Sequence, residues 1–236
     1  MGGAPVTLPP AGPLSVVYED ERLIAVDKPC RQPVIPPRPV GGASDALPLV
    51  RQVQEHTGAK AYVVHRLDRE TSGLVVFAKD AKAHRSLSGL FESRAVRKLY
   101  MALVQGDLRG TGEIDRPIRE FGSGRMAVDA SGKPSKTLYR VRESLEKVSL
   151  AELEPHTGRR HQLRVHLYSI GHPVMGDDLY GKERPVGGVG RLMLHALSLS
   201  FEGPSGKLKL SAPLPPGFTA IVAGFRRSPA PHPEKS

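Results

Sequence analysis

VVHRLDRETSGLVVFAK, residues 63–79, sets a short polar stretch between two apolar, β-branched runs. Val63 and Val64 read as the end of one buried strand, and Leu74, Val75, Val76 and Phe77 as the start of the next. The stretch from His65 to Gly73 then belongs at a sheet margin, where reactive side chains are displayed on a connection held by rigid scaffold. It presents one carboxylate, Asp68, with Arg66 and Arg69 beside it. A guanidinium within a few ångströms favours the ionised form of an acid, which suits a nucleophile or base rather than a proton donor. A mixed-charge loop that is merely solvated is the default for such a segment, so the rest of the chain has to decide.

Working outward, residues 14–29 read as two short strands around a turn from Glu19 to Arg22, followed by a Pro/Gly-rich loop from Gln32 to Gly42. Asp45 is expected to open a helix with Leu47, Val50 and Val53 on one face, ending at Gly58. Asp80 has the character of an N-cap for a helix with Ala83, Leu87, Leu90 and Phe91 on one stripe and Lys82, Arg85 and Arg94 elsewhere on its surface. RKLYMALVQ, residues 97–105, alternates like a half-buried strand, and further strands are expected near 113–118, 135–142, 147–154, 191–201 and 207–210. A second helix is expected over 158–170, with Leu163, Leu167 and Ile170 on one side and Gly171 as its stop. Many strands with few helices imply a mostly antiparallel sheet. No composition break marks a linker, so the chain reads as a flexible N-terminus over 1–13, one domain over 14–225 and a disordered, proline-rich tail over 226–236.

At 236 residues, with 25% charged and 39% hydrophobic residues, the chain has the composition of an ordinary globular protein. Lys and Arg outnumber Asp and Glu by 34 to 24, and a net charge of +10 fits a surface that meets a polyanion. One cysteine, Cys30, can form neither an internal disulfide nor a thiolate metal site, which suits a reducing cytoplasm. The first residues lack a secretory signal, and no apolar run approaches the roughly 18 residues of a membrane span. There is no tryptophan and no asparagine, which excludes any mechanism needing a catalytic Asn.

PHTGRRHQLRVH, residues 155–166, is the second dense segment, and it places Arg159, Arg160, His161, Arg164 and His166 around a helix start. Backbone N–H groups and several guanidiniums there make a phosphate-binding surface. Arg164 follows the apolar Leu163, so it is expected to point partly inward, where a buried arginine requires an acidic partner. Asp68 is one candidate. His161 and His166 stand five apart, about 140° around a helix, which argues against a metal site. GDDLYGKE, residues 176–183, has the glycine spacing of a phosphate loop and Lys182 after the second glycine. Glu183, however, replaces the hydroxyl residue that would hold magnesium, so Asp177 and Asp178 read as turn residues. No GxGxxG follows a strand, so a dinucleotide has no seat.

HRLDRETSGL, RKLYMALVQG, HTGRRHQLRVH, GHPVMGDDLYG and RLMLHALSL, in this order over about residues 14–212, resemble the RluA-type family of RNA pseudouridine synthases. The resemblance implies an α+β catalytic domain with a mixed, mainly antiparallel central sheet flanked by helices and loops, and an RNA-binding cleft. It implies isomerisation of chosen uridines in a tRNA or rRNA stem-loop: the C1′–N1 bond breaks, the uracil turns, and C5 joins C1′, with no cofactor and no metal. By motif position, Asp68 is the essential aspartate, Arg164 the arginine that pairs with it, Tyr100 the aromatic that stacks on the target base, and Arg66 the residue that fills the gap left by the flipped nucleotide. Leu163 joins Tyr100, Arg164 and Arg66 as substrate-binding, while Arg69, Arg159, Arg160 and His161 are expected on RNA phosphates.

These roles have independent physical reasons. A base must leave the stack to be reached, at a cost of a few kcal/mol, and a guanidinium plane can stack in the vacancy. An aromatic face is worth roughly 1–3 kcal/mol of base stacking, although a tyrosine in a strand is by default a core residue with a hydrogen-bonded hydroxyl. The first motif, commonly NKPSG in the family, reads Asp27-Lys28-Pro29-Cys30-Arg31 here, and loss of its glycine is expected to alter the turn. Residues 1–13 are too few for an extra RNA-binding domain, so substrate choice is expected to come from the catalytic domain. A cytoplasmic monomer with RNA as partner, away from membranes, completes the reading. Its rivals are a catalytically silent RNA-binding module of the same fold, and a two-carboxylate hydrolase using Asp68 with Glu70. The hydrolase fails because alternate residues of an extended segment point oppositely.

Overall fold

Seven consecutive buried residues, Ser72–Ala78, make β4, the strand that follows the Asp68 loop. The computed structural model describes residues 13–36, 47–122, 124–145, 147–181, 189–203 and 206–227. The chain divides into two compact units, Met1–Ser93 and Arg94–Ser236, at a point that composition does not mark.

In the first unit, β2 (Leu23–Lys28) runs antiparallel between β1 (Val16–Glu19) and β4, and the two-residue β3 (Tyr62–Val63) also pairs with β4. The β1–β2 turn forms because Asp20 Oδ1 accepts the backbone N–H groups of Arg22 and Leu23, both at 2.8 Å. α2 (Ala81–Glu92) begins as expected at Asp80, whose Oδ1 accepts the N–H groups of Lys82 and Ala83 at 2.7 and 2.8 Å.

α1 (Leu49–Thr57) begins later than expected, with Pro48 at its N-cap. Asp45, the expected opener, lies outside the described residues. Leu47 is 39% exposed rather than on the buried face, because the residue before a proline is pushed out of helical geometry. The first N–H groups of α1 find partners in the carbonyls of Pro33 and Val34, at 2.9 and 3.0 Å. Gly58, at φ 63°, ends the helix as expected.

The second unit is built on one antiparallel sheet. Its strands are β5 (Arg97–Gln105), β6 (Thr111–Asp115), β9 (Lys136–Leu145), β10 (Val148–Pro155), β11 (Leu194–Gly203) and β12 (Gly206–Ser211), in the order β12-β11-β5-β10-β9-β6. β5 has the expected bounds, but its last four residues are all buried instead of alternating. α3 (Gln162–Ser169) and α4 (Pro216–Arg227) contribute Leu163, Leu167, Phe218 and Val222 to a core shared with Leu103 and Leu153.

Two elements have no counterpart in the sequence reading. A small hairpin pairs β7 (Ile118–Glu120) with β8 (Met126–Val128). α4 covers a stretch for which the sequence predicts no element, and it includes Arg226 and Arg227, which were expected in the tail. Arg226 is tied there by a bidentate pair with Glu143, whose closest contact is 2.6 Å. Residues 1–12 of the expected flexible N-terminus and most of the expected tail lie outside the described residues, and no helix among the described residues is long and apolar enough to cross a membrane. The secondary structure is α+β and every pairing within each unit is antiparallel, as the resemblance implies.

Candidate active site

Asp68 lies half-buried on the connection between β3 and β4, with Leu67 buried before it and Arg66 and Arg69 exposed on either side. The loop is tied down along its length. His65 Nε2 accepts the N–H of Val76 at 3.1 Å, and its ring stacks on Phe91 with centroids 4.6 Å apart, which fixes the loop's entry to β4 and α2. A turn closes through Thr71 N to Asp68 O at 3.1 Å.

The exit is held by the first-motif segment. Lys28, fully buried, donates from Nζ to the carbonyls of Pro29, Gln32 and Arg69 at 2.9, 2.8 and 3.0 Å. Its three donors suit three acceptors. Cys30 Sγ donates to the Glu70 carbonyl at 2.9 Å, and Arg69 Nε to the Arg31 carbonyl at 3.2 Å. Arg31, the residue standing where the family commonly has glycine, sits at φ 67°. The turn therefore has left-handed geometry at a non-glycine residue, at a steric cost of about 1–2 kcal/mol. A carboxylate on a loop pinned at residues 65, 69 and 70 is set in place before any ligand arrives, as a reacting group must be.

In the second unit, α3 starts at Gln162 and not near Gly158. The intervening residues form a turn organised by Gln162 itself: Oε1 accepts from Thr157 Oγ1 at 2.6 Å and from Arg159 N at 3.0 Å, while Nε2 donates to Lys136 O and Thr137 Oγ1. His161, at φ 54°, breaks the helical path just before it. One N–H expected to face a phosphate is thus used internally. Of the expected phosphate binders, Arg159 reaches the Pro134 carbonyl at 3.4 Å, Arg160 pairs with Glu120 at 2.8 Å, and His161 Nδ1 lies 2.9 Å from the Tyr180 hydroxyl.

Arg164 is 3% exposed, and within its own unit it pairs with Asp177, an acid that the sequence reads only as a turn residue: Nε and Nη2 reach Oδ2 and Oδ1 at 2.8 and 2.7 Å. Asp177 is a turn residue as well, since its Oδ1 accepts the N–H groups of Leu179 and Tyr180 at 2.9 and 3.0 Å. Sequence reasoning found the turn and missed the ion pair. Leu163 is buried in the core.

Tyr100 sits in β5 opposite Leu153 of β10 and Ala196 of β11, half-buried against the core. Two residues away, burial and the nearby Arg94 charge push the Lys98 ammonium below its ordinary pKa. His166 is buried, with its two ring nitrogens 2.9 Å from Thr137 Oγ1 and 3.0 Å from the Arg116 carbonyl, and burial lowers its pKa. His161, just before α3, and His166, within it, thus have separate partners. Among the described residues no cluster of three or more His, Cys, Asp or Glu side chains is placed to hold a metal. Lys182 and Glu183 of the phosphate-loop-like stretch lie outside the described residues. Gly176, at φ 70°, has a packing reason: a Cβ there would clash with the Arg191 carbonyl.

The sequence profile of RNA pseudouridylate synthases matches residues 22–169. "Ribosomal large subunit pseudouridine synthase D" of Nitrosomonas europaea is 38% identical over 233 residues, an alignment covering 92% of this chain and 67% of that protein. "Dual-specificity RNA pseudouridine synthase RluA" of Vibrio cholerae is 40% identical over 201 residues, covering 83% and 80%. Among solved structures, human RNA pseudouridylate synthase domain containing 4 matches with a TM-score of 0.73 and 28% identity over 90% of this chain and 93% of that one. Human RNA pseudouridylate synthase domain containing 1 gives 0.72 and 30% over 92% and 96%.

Proposed function

The chain belongs to the RNA pseudouridylate synthase family, and on that premise we propose that it isomerises uridines in a structured RNA, a stem-loop of ribosomal or transfer RNA, using Asp68 as its essential carboxylate. Of the relatives named above, one is named for the large ribosomal subunit and the other as a dual-specificity enzyme; the first name supports ribosomal RNA as the substrate class. The single observation that carries the assignment of Asp68 is its place on a loop fixed by His65, Lys28 and Cys30.

The reaction conserves atoms. The C1′–N1 bond breaks, C5 bonds to C1′, the hydrogen leaves C5, and N1 gains a proton. A single carboxylate can assist by attacking C1′, adding to the ring or removing the C2′ proton, and no redox partner enters. In this reading the target nucleotide leaves the helix at a cost of a few kcal/mol. Arg66, exposed two residues before Asp68, offsets part of that by stacking in the vacancy. Tyr100 offers its face to the uracil, Arg164 supplies the buried cation of the reaction centre with Leu163 beside it, and Arg69, Arg159, Arg160 and His161 meet phosphates. We place the protein in the cytoplasm as a monomer.

Pseudouridine mapping across total RNA from cells with and without the protein tests this directly. Loss of pseudouridine at one or a few stem-loop positions supports the reading. An unchanged map, together with no tritium release from C5-labelled ribosomal or transfer RNA by the purified protein, overturns it.

A further inference from the structure

The GDDLY turn, which resembles a phosphate loop in sequence, has a different use in the structure. Asp177 grips the edge of the Arg164 guanidinium with two hydrogen bonds of 2.8 and 2.7 Å, and Tyr180, three residues on, lays its ring against the same group, 5.2 Å from centroid to Cζ. Edge and plane are both constrained, which removes the rotational freedom an arginine side chain otherwise keeps. The turn is itself fixed. Asp177 Oδ1 accepts the N–H of Tyr180, the Tyr180 hydroxyl accepts the N–H of Met126 at 3.2 Å and lies 2.9 Å from His161 Nδ1, and Gly176 is packed too closely against Arg191 for any side chain. The Arg164 and Asp177 side chains are only 4% and 0% exposed, so neither is a solvated surface charge.

We propose that Asp177 and Tyr180 are positioning residues of the uridine isomerisation, holding the Arg164 guanidinium in one orientation so that the chemical step does not have to order it. The proposal rests on the functional reading above. A buried carboxylate that only neutralised Arg164 would not require an aromatic face on the same guanidinium. A preorganised charge acts on the barrier more than on binding, so the prediction is a loss in rate at saturating RNA with affinity preserved.

The test is single-turnover pseudouridine formation and RNA affinity for Asp177→Asn, Tyr180→Leu and Tyr180→Phe, with the Arg164 Nε–H resonance followed by nitrogen-15 NMR. Asp177→Asn should lower the saturating rate at least about 30-fold with Kd within about threefold, and its Arg164 Nε–H signal should broaden or shift. Tyr180→Leu should lose about tenfold or more, while Tyr180→Phe, which keeps the ring, should retain most of the rate. A folded Asp177→Asn protein with the wild-type rate, or one whose loss lies wholly in Kd, overturns the proposal. Should Asp177→Asn fail to fold, the Tyr180 pair decides, and equal rates for Leu and Phe overturn it. A wild-type protein that forms no pseudouridine overturns the functional reading and with it the catalytic part of this one. The NMR signal still tells whether Arg164 is held.

Discussion

Replacing Lys28 by Met removes an ammonium while keeping the length of the side chain. Lys28 is fully buried and its three donors reach carbonyls on Pro29, Gln32 and Arg69. Hydrogen bonds from a charged donor are worth about 1.5–3 kcal/mol each, and a buried carbonyl left without a donor costs about 1–3 kcal/mol. The bond to Gln32 is fully buried, whereas those to Pro29 and Arg69 are only partly so, and those two carbonyls can turn to water. Burying an ammonium also has a desolvation penalty of several kcal/mol, which Met escapes. The expected net loss is therefore about 2–4 kcal/mol, a fall in melting temperature of about 5–15 °C for a chain of this size.

A second consequence follows from connectivity. The Arg69 carbonyl is one residue from Asp68, so the variant should also form pseudouridine more slowly at temperatures where it is fully folded. Thermal melts and single-turnover assays at 15 °C separate the two effects. A Lys28→Met protein that melts with the wild type, or one that is destabilised yet fully active when folded, refutes the view that this lysine sets the Asp68 loop.

Tyr100→Ala should lose about 1–3 kcal/mol of base stacking, a drop of roughly 5- to 150-fold in kcat/KM, whereas Tyr100→Phe should stay within a few-fold; equal losses in the two would count against stacking. If Arg69, Arg159 and Arg160 each neutralise a phosphate, raising salt from 50 to 200 mM should weaken RNA binding roughly 20- to 40-fold, and a flat response in a filter-binding titration would remove the electrostatic interface. His195 is fully buried, and that burial holds its imidazole down to about 4. The unfolded chain thus binds a proton there from about pH 6.5 downward, and the folded chain only near pH 4. Stability should fall as pH drops through that window, by up to about 3 kcal/mol. Urea melts from pH 7 to pH 4.5 should show this, and the same pH slope in His195→Gln would disprove the assignment.

Local signals were legible where a residue acts on its own neighbours. Asp80 caps a helix two and three residues away, Gly58 and Gly171 carry the positive φ that ends α1 and α3, and the apolar run of β4 is buried throughout. Long-range choices were not legible. Nothing near Asp177 announces that its partner lies thirteen residues back on α3, nor near Lys28 that it serves the Arg69 carbonyl forty-one residues on. The turn at Arg31 shows the same limit, because packing holds an arginine in a conformation for which its own preference is poor. α4 was hidden by Pro213, Pro215, Pro216 and Gly217, although a proline at the first helical position and Phe218 and Val222 four apart were the available signal. The β7–β8 hairpin has strands of three residues, too short for any period to register. The motifs gave the site residues their candidate roles. The structure adds what holds Asp68 and Arg164 in place within their own units.

The most direct measurement is pseudouridine formation by Asp68→Asn, a substitution that keeps the side chain's shape and removes its charge, assayed beside RNA affinity in the same preparation. Product should be absent over a time in which the wild type completes many turnovers, with Kd unchanged within about threefold. Turnover at the wild-type rate in a folded Asp68→Asn protein would contradict the account at its base.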